Sequence, residues 1–471
     1  MKKTAYNFLF QSLFQVMKII LPLITIPIIS KALGPEGIGI YNYTNSIAQY
    51  FVLFAGLGVG VYGNREIAIA RENKDLLSFR FWELFGMSFF VSILSLISFL
   101  LLAFHSKDSF YLLLQAPIVL GAMFDISWFF MGIEDFKKTS LSSLFAQIIS
   151  FFCIIYFVNG PDDLWLYILI QSGNIVITQA VMWLFVFENI TFKRVNFKNM
   201  FFHFIPSLQF FIPKIAIILY TNLNKTLLGW LDSKDSVGFY TNSLIMNSIL
   251  VTLVTTLDLV LLPKLSNLAS KGSTVKIYDT IKKTVNLQLF FTIPMMFGII
   301  LISPKLVPWF FGDEFLILKT TIPLVSPLIV IMPLGLAVGR QYLVPMNKIK
   351  VYNLAVLIGA LVSIVINLFF IPLIGLYGAI IATLSAELFV TLTRFTAFII
   401  ETKIKFDFTL IFKYVISSFV MFVVTYGLTF HLHPSIVTTL KQFLIGVIIY
   451  MIVNVILKSN ILFQVLKNRS L

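Results

Sequence analysis

The chain is a succession of apolar runs long enough to cross a bilayer, separated by short polar segments. A hydrocarbon core of about 30 Å takes some 20 mostly apolar residues per helix, because lipid offers backbone amides no partner outside their own helix. Fourteen runs meet that length, at residues 8–30, 38–63, 83–104, 110–132, 141–159, 164–187, 203–224, 237–262, 284–303, 320–343, 351–371, 376–399, 409–430 and 436–457. The pattern predicts an all-α polytopic membrane protein with about 14 transmembrane helices and no soluble domain. The first run follows Lys2 and Lys3 as a signal peptide would. It is too long for one, holds Lys18 at its centre and lacks a small-residue cleavage site, so it is read as a retained span.

Composition agrees and narrows the choice. Of 471 residues, 58% are hydrophobic and 12% charged, against about 45–50% and about 25% in soluble domains, so a water-soluble fold could not hide the apolar surface. With the N-terminus inside, 23 of the 35 Lys and Arg fall in cytoplasmic segments, which sets the orientation. An even helix count returns the C-terminus, with Lys458, Lys467 and Arg469, to the same side. This asymmetry accounts for the net charge of +14 without a nucleic-acid partner. Cys153 has no second cysteine to pair with, which excludes a disulfide framework and a cysteine metal site. His431 and His433 sit in a short outer turn and do not read as a metal site. No P-loop, G-x-S-x-G or H-E-x-x-H motif occurs, so neither ATP hydrolysis nor other enzyme chemistry is expected, and no cofactor.

The two halves echo each other. Gly39-Ile-Tyr41 opens the second span and Gly238-Phe-Tyr240 the eighth, each near a Thr-Asn-Ser, at 44–46 and 241–243. Ser12-Leu-Phe-Gln15 in the first span is matched by Ser207-Leu-Gln-Phe210 in the seventh. Partners six helices apart start on the same side of the membrane, so the repeat is parallel, a common transporter plan with the substrate between the halves near mid-bilayer.

Several motifs resemble the Wzx-type polysaccharide flippases of the multidrug/oligosaccharidyl-lipid/polysaccharide exporter superfamily. They are Leu33-Gly-Pro-Glu-Gly-Ile-Gly39, Asp125-Ile-Ser-Trp128 with Gly132-Ile-Glu134, Phe310-Phe-Gly312, and Asn367 with Ile371-Pro372, Gly375, Gly378-Ala379 and Glu387. Lys31 stands where the family often has arginine, which keeps the charge. The resemblance implies two six-helix lobes around a central cavity (1–200 and 201–400), a C-terminal hairpin and tail (401–471), and residence in the bacterial cytoplasmic membrane. It also implies translocation of undecaprenyl-pyrophosphate-linked repeat units from the inner to the outer leaflet, with a polysaccharide polymerase as an expected partner. A lipid II flippase shares the fold and the anchor. A multidrug or cation antiporter would favour an acidic cavity, and a glycan polymerase or acyltransferase larger outer loops than these.

Charged side chains at mid-bilayer cost about 2.5–3.5 kcal/mol on insertion scales, so those present mark cavities or ion pairs. Lys18 and Lys214 occupy equivalent positions of the first and seventh spans. Gln11, Gln15, Lys18 and Pro22 form one helical stripe, and a pyrophosphate headgroup suits such lysines while the amides suit sugar hydroxyls. Alternatively, each lysine pairs with a buried carboxylate and joins helices. Arg340 follows Pro323, Pro327 and Pro333 and reads either as cavity lining or as snorkelling to the interface. Arg394 shares a stripe with Thr383, Glu387 and Thr391, either wet or closed by a Glu–Arg network. Asp125, Asp258 and Glu387 are the candidates for coupling to a Na⁺ or proton gradient; Glu387 is the most central, and Asp125 reads better as a pin for the loop beyond it. The 409–457 hairpin lies outside the repeat and offers either a groove for the polyprenyl tail or a face packed on lipid.

Overall fold

The computed structural model describes residues 2–459, with side chains described for all of these except 2–16, 18–19, 212–213, 216, 220 and 259. Among the described residues there is no strand, and twelve helical stretches are long and apolar enough to cross a membrane. One of them, Ile20–Ala70, has 51 residues and at 1.5 Å per residue would run about 77 Å, far more than one crossing. It comprises α1 (Lys2–Gly56) from Ile20 onward, which bends at Gly34 (φ 63°, ψ −179°), and the short α2 (Val59–Ala70). Gly34 takes a left-handed φ at no steric cost, and Pro35 after it cannot donate to the ladder, so the chain turns there. The expected first and second spans are thus the two limbs of α1. The expected seventh is α10 (Phe204–Leu231). Counting both restores the fourteen crossings.

The chain forms two compact units, Met1–Gly238 and Phe239–Leu471. In the first, α1 is the axis, packed on α3 (Lys74–His105), α5 (Ala116–Met123), α7 (Phe136–Phe157) and α10, while α7 pairs with α8 (Leu164–Val186). By packing, α10 groups with the first six spans, although the sequence repeat begins its second half there. The span expected at 110–132 is broken into α4 (Ser109–Leu113), α5 and α6 (Ser127–Gly132). Asp125 makes the second break: its Oδ1 accepts from Ser127 N at 2.9 Å and from Gln179 Nε2 at 3.1 Å, and its carbonyl accepts from Trp128 Nε1 at 2.9 Å. Trp128, Phe129, Phe81, Tyr62 and Met182 form the buried core beside it.

In the second unit α12 (Thr274–Phe310) packs on α14 (Leu328–Val338), α17 (Phe408–Thr429) and α18 (Ile436–Ile456), and α15 (Ile349–Ile374) pairs with α16 (Leu376–Thr402). The span expected at 320–343 is again interrupted, into α13 (Leu318–Val325), α14 and a π-helical turn at Gly339–Leu343. The helices on either side of the 271–273 turn are longer than expected. α11 (Lys234–Ser270) and α12 have 37 residues each, about 55 Å, so they overreach the hydrocarbon core and carry Lys264, Lys271, Lys276, Lys282 and Lys283 beyond it.

Candidate functional site

Polar stripes on three neighbouring helices, α1, α7 and α8, meet inside the first unit. The inner limb of α1 carries Tyr41, Asn45 and Gln49 at spacings of four, α7 carries Ser143, Gln147 and Ser150, and α8 carries Gln171, Asn174 and Thr178. Residues three, four and seven apart share a helix face, so each helix turns amides and hydroxyls the same way. Together with Leu21, Pro22 and Thr25 of α1's outer limb they line a cavity of about 500 Å³. Among the described residues no charged side chain lines it. Its walls are braced by Asn174 Nδ2 donating to Ser150 Oγ at 2.8 Å and Gln171 Nε2 donating to Tyr167 OH at 3.2 Å. Tyr41 stands edge-on to Tyr167, ring centroids 4.9 Å apart. Behind the wall, fully buried Gln115 donates to Thr44 Oγ1 at 3.0 Å, an amide used for packing.

The structure places the sequence-derived candidates at several separate points. Gln11, Gln15 and Lys18 have side chains outside the described residues, but Pro22 of the same stripe lines the cavity. Lys214 is exposed on α10. Asp125 is engaged just before α6 with Ser127 N and Gln179, and the loop after α6 carries Glu134, which bridges to Arg71 at 2.6 Å. In the second unit Asp258 is fully buried. Its Oδ1 accepts from Gln288 Nε2 at 2.8 Å and Gln341 Nε2 at 2.6 Å, and the Arg340 guanidinium lies within electrostatic reach. Oδ2 of Asp258 and the Oε1 atoms of both glutamines are buried without a hydrogen-bond partner. Arg394 is buried against α14, donating from Nη1 to the Gly335 carbonyl at 3.2 Å and covering the Tyr352 ring at 4.5 Å. Glu387 is half-buried on α16.

Two features lie outside the sequence-derived candidates. One is an apolar groove of about 490 Å³ in the second unit between α12, α17 and α18. Its few polar side chains each donate a hydrogen bond: Gln442 to Thr429 at 3.0 Å, Tyr450 to the Phe290 carbonyl at 2.7 Å, and Thr439 to the Ser435 carbonyl at 3.0 Å. The other is a buried network at the base of α10, where His203 Nδ1 lies 2.7 Å from Tyr62 OH and Nε2 lies 3.1 Å from Arg80 Nη1 and 3.3 Å from Glu83 Oε2. It ties α2 and α3 to α10. No cluster of three or more His, Cys, Asp or Glu that could hold a metal occurs among the described residues.

A family model described as polysaccharide biosynthesis protein matches residues 4–269, more than half of the chain. The chain belongs to that family. Among its relatives, a putative O-antigen transporter of Escherichia coli (strain K12) is 25% identical over 399 residues, covering 82% of this chain and 94% of that one. A probable low-salt glycan biosynthesis flippase, Agl15, of Haloferax volcanii is 24% identical over 237 residues, half of each chain. The lipid II flippase MurJ in an inward closed conformation superposes with a TM-score of 0.73 at 16% identity, over 97% of this chain and all of that one. An inward-facing multidrug resistance MATE transporter of the MOP superfamily superposes with a TM-score of 0.53 at 13% identity, over 82% of this chain and all of that one. The resemblance to Wzx-type flippases is borne out, and with it a multi-pass transporter fold.

Proposed function

We propose that this member of the family is a flippase that carries polyprenyl-pyrophosphate-linked oligosaccharide repeat units from the inner to the outer leaflet of the cytoplasmic membrane by alternating access. Both termini are cytoplasmic in this reading, and a polysaccharide polymerase consumes the exported units. The observation that carries it is the groove between α12, α17 and α18, whose lining is almost wholly apolar and whose three polar side chains each donate a hydrogen bond to the protein, a surface that suits hydrocarbon. Lipid tails are as apolar as the groove, so seating a polyprenyl chain there gains little affinity. It fixes the direction in which the chain leaves, and so positions the headgroup. Lys18 and Lys214 are proposed to hold the pyrophosphate, and Asp258 and Glu387 to couple transport to a Na⁺ or proton gradient. A multidrug or cation antiporter is less well supported, because the cavity of the first unit offers a cation no carboxylate.

The test uses purified protein in proteoliposomes and a substrate pair with the same glycan but a long or a short polyprenyl chain. A Cβ at Gly446 would meet only Met421 Cγ and Sδ at 3.6 Å and Thr425 Oγ1 at 3.9 Å, so Gly446→Ala fits, whereas Gly446→Leu fills the groove. Gly446→Leu is expected to slow the long-chain substrate and spare the short one. Equal rates for both substrates in both variants would remove the groove from the mechanism.

A further inference from the structure

The cavity of the first unit is polar in an unusual way for a membrane bundle. Intramembrane polar groups normally pair with each other or serve a substrate path, and here pairing is only partial. The side chains of Ser150, Gln171 and Asn174 bond within the wall, while those of Asn45, Gln49 and Gln147 have no hydrogen-bond partner among the described residues, although Gln115 one helix away does. Each amide offers two donors and an acceptor with two lone pairs. Such groups match hydroxyls, which also donate and accept. With no charge among the described lining residues, nothing there selects an ion or a charged drug, and a neutral molecule dense in hydroxyls suits it. Tyr41 and Phe151 supply apolar faces for the C–H side of a ring. A volume of about 500 Å³ lies within the roughly 300–1,000 Å³ of small-molecule sites, room for a short stretch of glycan and not for a polymer.

We propose that this cavity is a carbohydrate subsite, in which Asn45, Gln49 and Gln147 bond the hydroxyls of sugars beyond the first of the lipid-linked unit and Tyr41 stacks on a sugar ring. The proposal rests on the flippase reading and adds where, and by which residues, the glycan is held. Because the walls are fixed by the Asn174–Ser150 and Gln171–Tyr167 bonds, the subsite is formed before substrate arrives and selects by the placement of hydroxyls.

The experiment compares two probes in proteoliposomes of the full chain: the undecaprenyl-diphosphate-linked repeat units extracted from the cells that make this protein, and the same pool trimmed enzymatically to its first sugar. Asn45→Leu and Gln147→Leu are expected to slow the full-length probe about tenfold for each well-bonded amide removed and to leave the trimmed probe at the wild-type rate. Ser143→Phe, which fills the cavity, should do the same, and Tyr41→Phe should keep more activity than Tyr41→Leu. Gln115→Leu, changed behind the wall, reports damage to the fold and should affect both probes alike. If the cavity variants treat the two probes equally, at any rate, the subsite is overturned. Wild-type protein that moves neither probe overturns the flippase reading instead, so the two failures are distinguishable.

Discussion

Among the described glycines of the first unit, the two of the internal repeat leave the least room for a Cβ against neighbouring backbone. A Cβ on Gly39 would lie 1.7 Å from the Lys234 carbonyl oxygen, and a Cβ on Gly238 would lie 2.2 Å from that of Pro35. Each glycine therefore faces the carbonyl four residues before the other, a reciprocal contact between α1 and the first turns of α11. Both obstacles are backbone, which cannot rotate aside. Reaching an ordinary contact of 3.4 Å at Gly39→Ala requires the helices to part by about 1.7 Å. That separation also strains the Lys234–Asp108 ion pair at 3.0 Å and lifts the Lys234 ammonium from the Tyr43 ring. Overpacking of this kind costs about 1–3 kcal/mol, and the half-exposed ion pair adds little. At about 2 kcal/mol the conformation that contains this contact loses about thirtyfold in population relative to one that lacks it.

If alternating access opens and closes this contact, Gly39→Ala lowers transport without preventing folding, because only one state of the cycle is penalised. Spin labels at the exposed positions Glu36 and Asp232 report it directly: the short-distance population should shrink in Gly39→Ala and in Gly238→Ala. The double variant should lose less than the sum of the two, since both act on one contact. An unchanged distance distribution together with a lowered unfolding temperature would refute the reasoning, because the glycines would then be packing a static core.

Three further outcomes follow from the same residues. On a Cys153→Ser background an impermeant maleimide should label a cysteine at position 313 in intact cells and not one at 273; the reverse would invert the topology. Asp125→Ala removes the acceptor of Ser127 N and Gln179 Nε2 and should lower the stability of the first unit by about 1–3 kcal/mol, with Asp125→Asn milder, as read by thermal unfolding in detergent; equal stability would deny these bonds a structural role. Asp258→Asn and Glu387→Gln should each leave protein levels intact while making transport less responsive to imposed Na⁺ or proton gradients, and full gradient response in both would exclude them from coupling.

Hydropathy made the crossings legible because one helix period and one bilayer thickness leave little freedom. The bends were less so. Gly34-Pro35 separates two expected spans, yet α1 stays helical on both sides because the turn consumes a single residue's φ. The interruption at Ser326–Pro327 was visible in its prolines, whereas the break before α6 depends on Asp125 meeting Gln179, 54 residues away. The neutral cavity was written in the sequence as amides four apart on apolar helices, but a search for charges passes over it. The partners of Asp258 could not be read at all, because Gln288 and Gln341 are brought to it by tertiary packing from 30 and 83 residues away. The groove was equally hidden, since a surface that faces lipid and one that faces a polyprenyl chain have the same composition.

On the proposed function, that separation of neutral and charged groups would give the two lysines a distinct role. A neutral amide can exchange one hydroxyl for another at little cost, because each bond contributes only about 0.5–1.5 kcal/mol net, so a glycan can pass a neutral cavity without being trapped there. On the proposed function the pyrophosphate would need a cation, and none lines the cavity among the described residues. Lys18 continues the stripe of Pro22 by helical spacing, and Lys214 is its counterpart in the repeat. If they hold the anchor, Lys18→Gln and Lys214→Gln should slow the full-length and trimmed probes by the same factor, whatever the sugars are. Loss of a hydrogen bond to a charged group, about 1.5–3 kcal/mol, corresponds to roughly ten- to a hundredfold for each lysine. Combined with Asn45→Leu, the losses in free energy should add for the full-length probe, because anchor and glycan would be read by separate residues. Normal transport of both probes by the Lys18→Gln/Lys214→Gln double variant would make the lysines structural. A double variant that slowed only the full-length probe would instead place them beside the sugars, and the division between a charged anchor site and a neutral glycan site would fail.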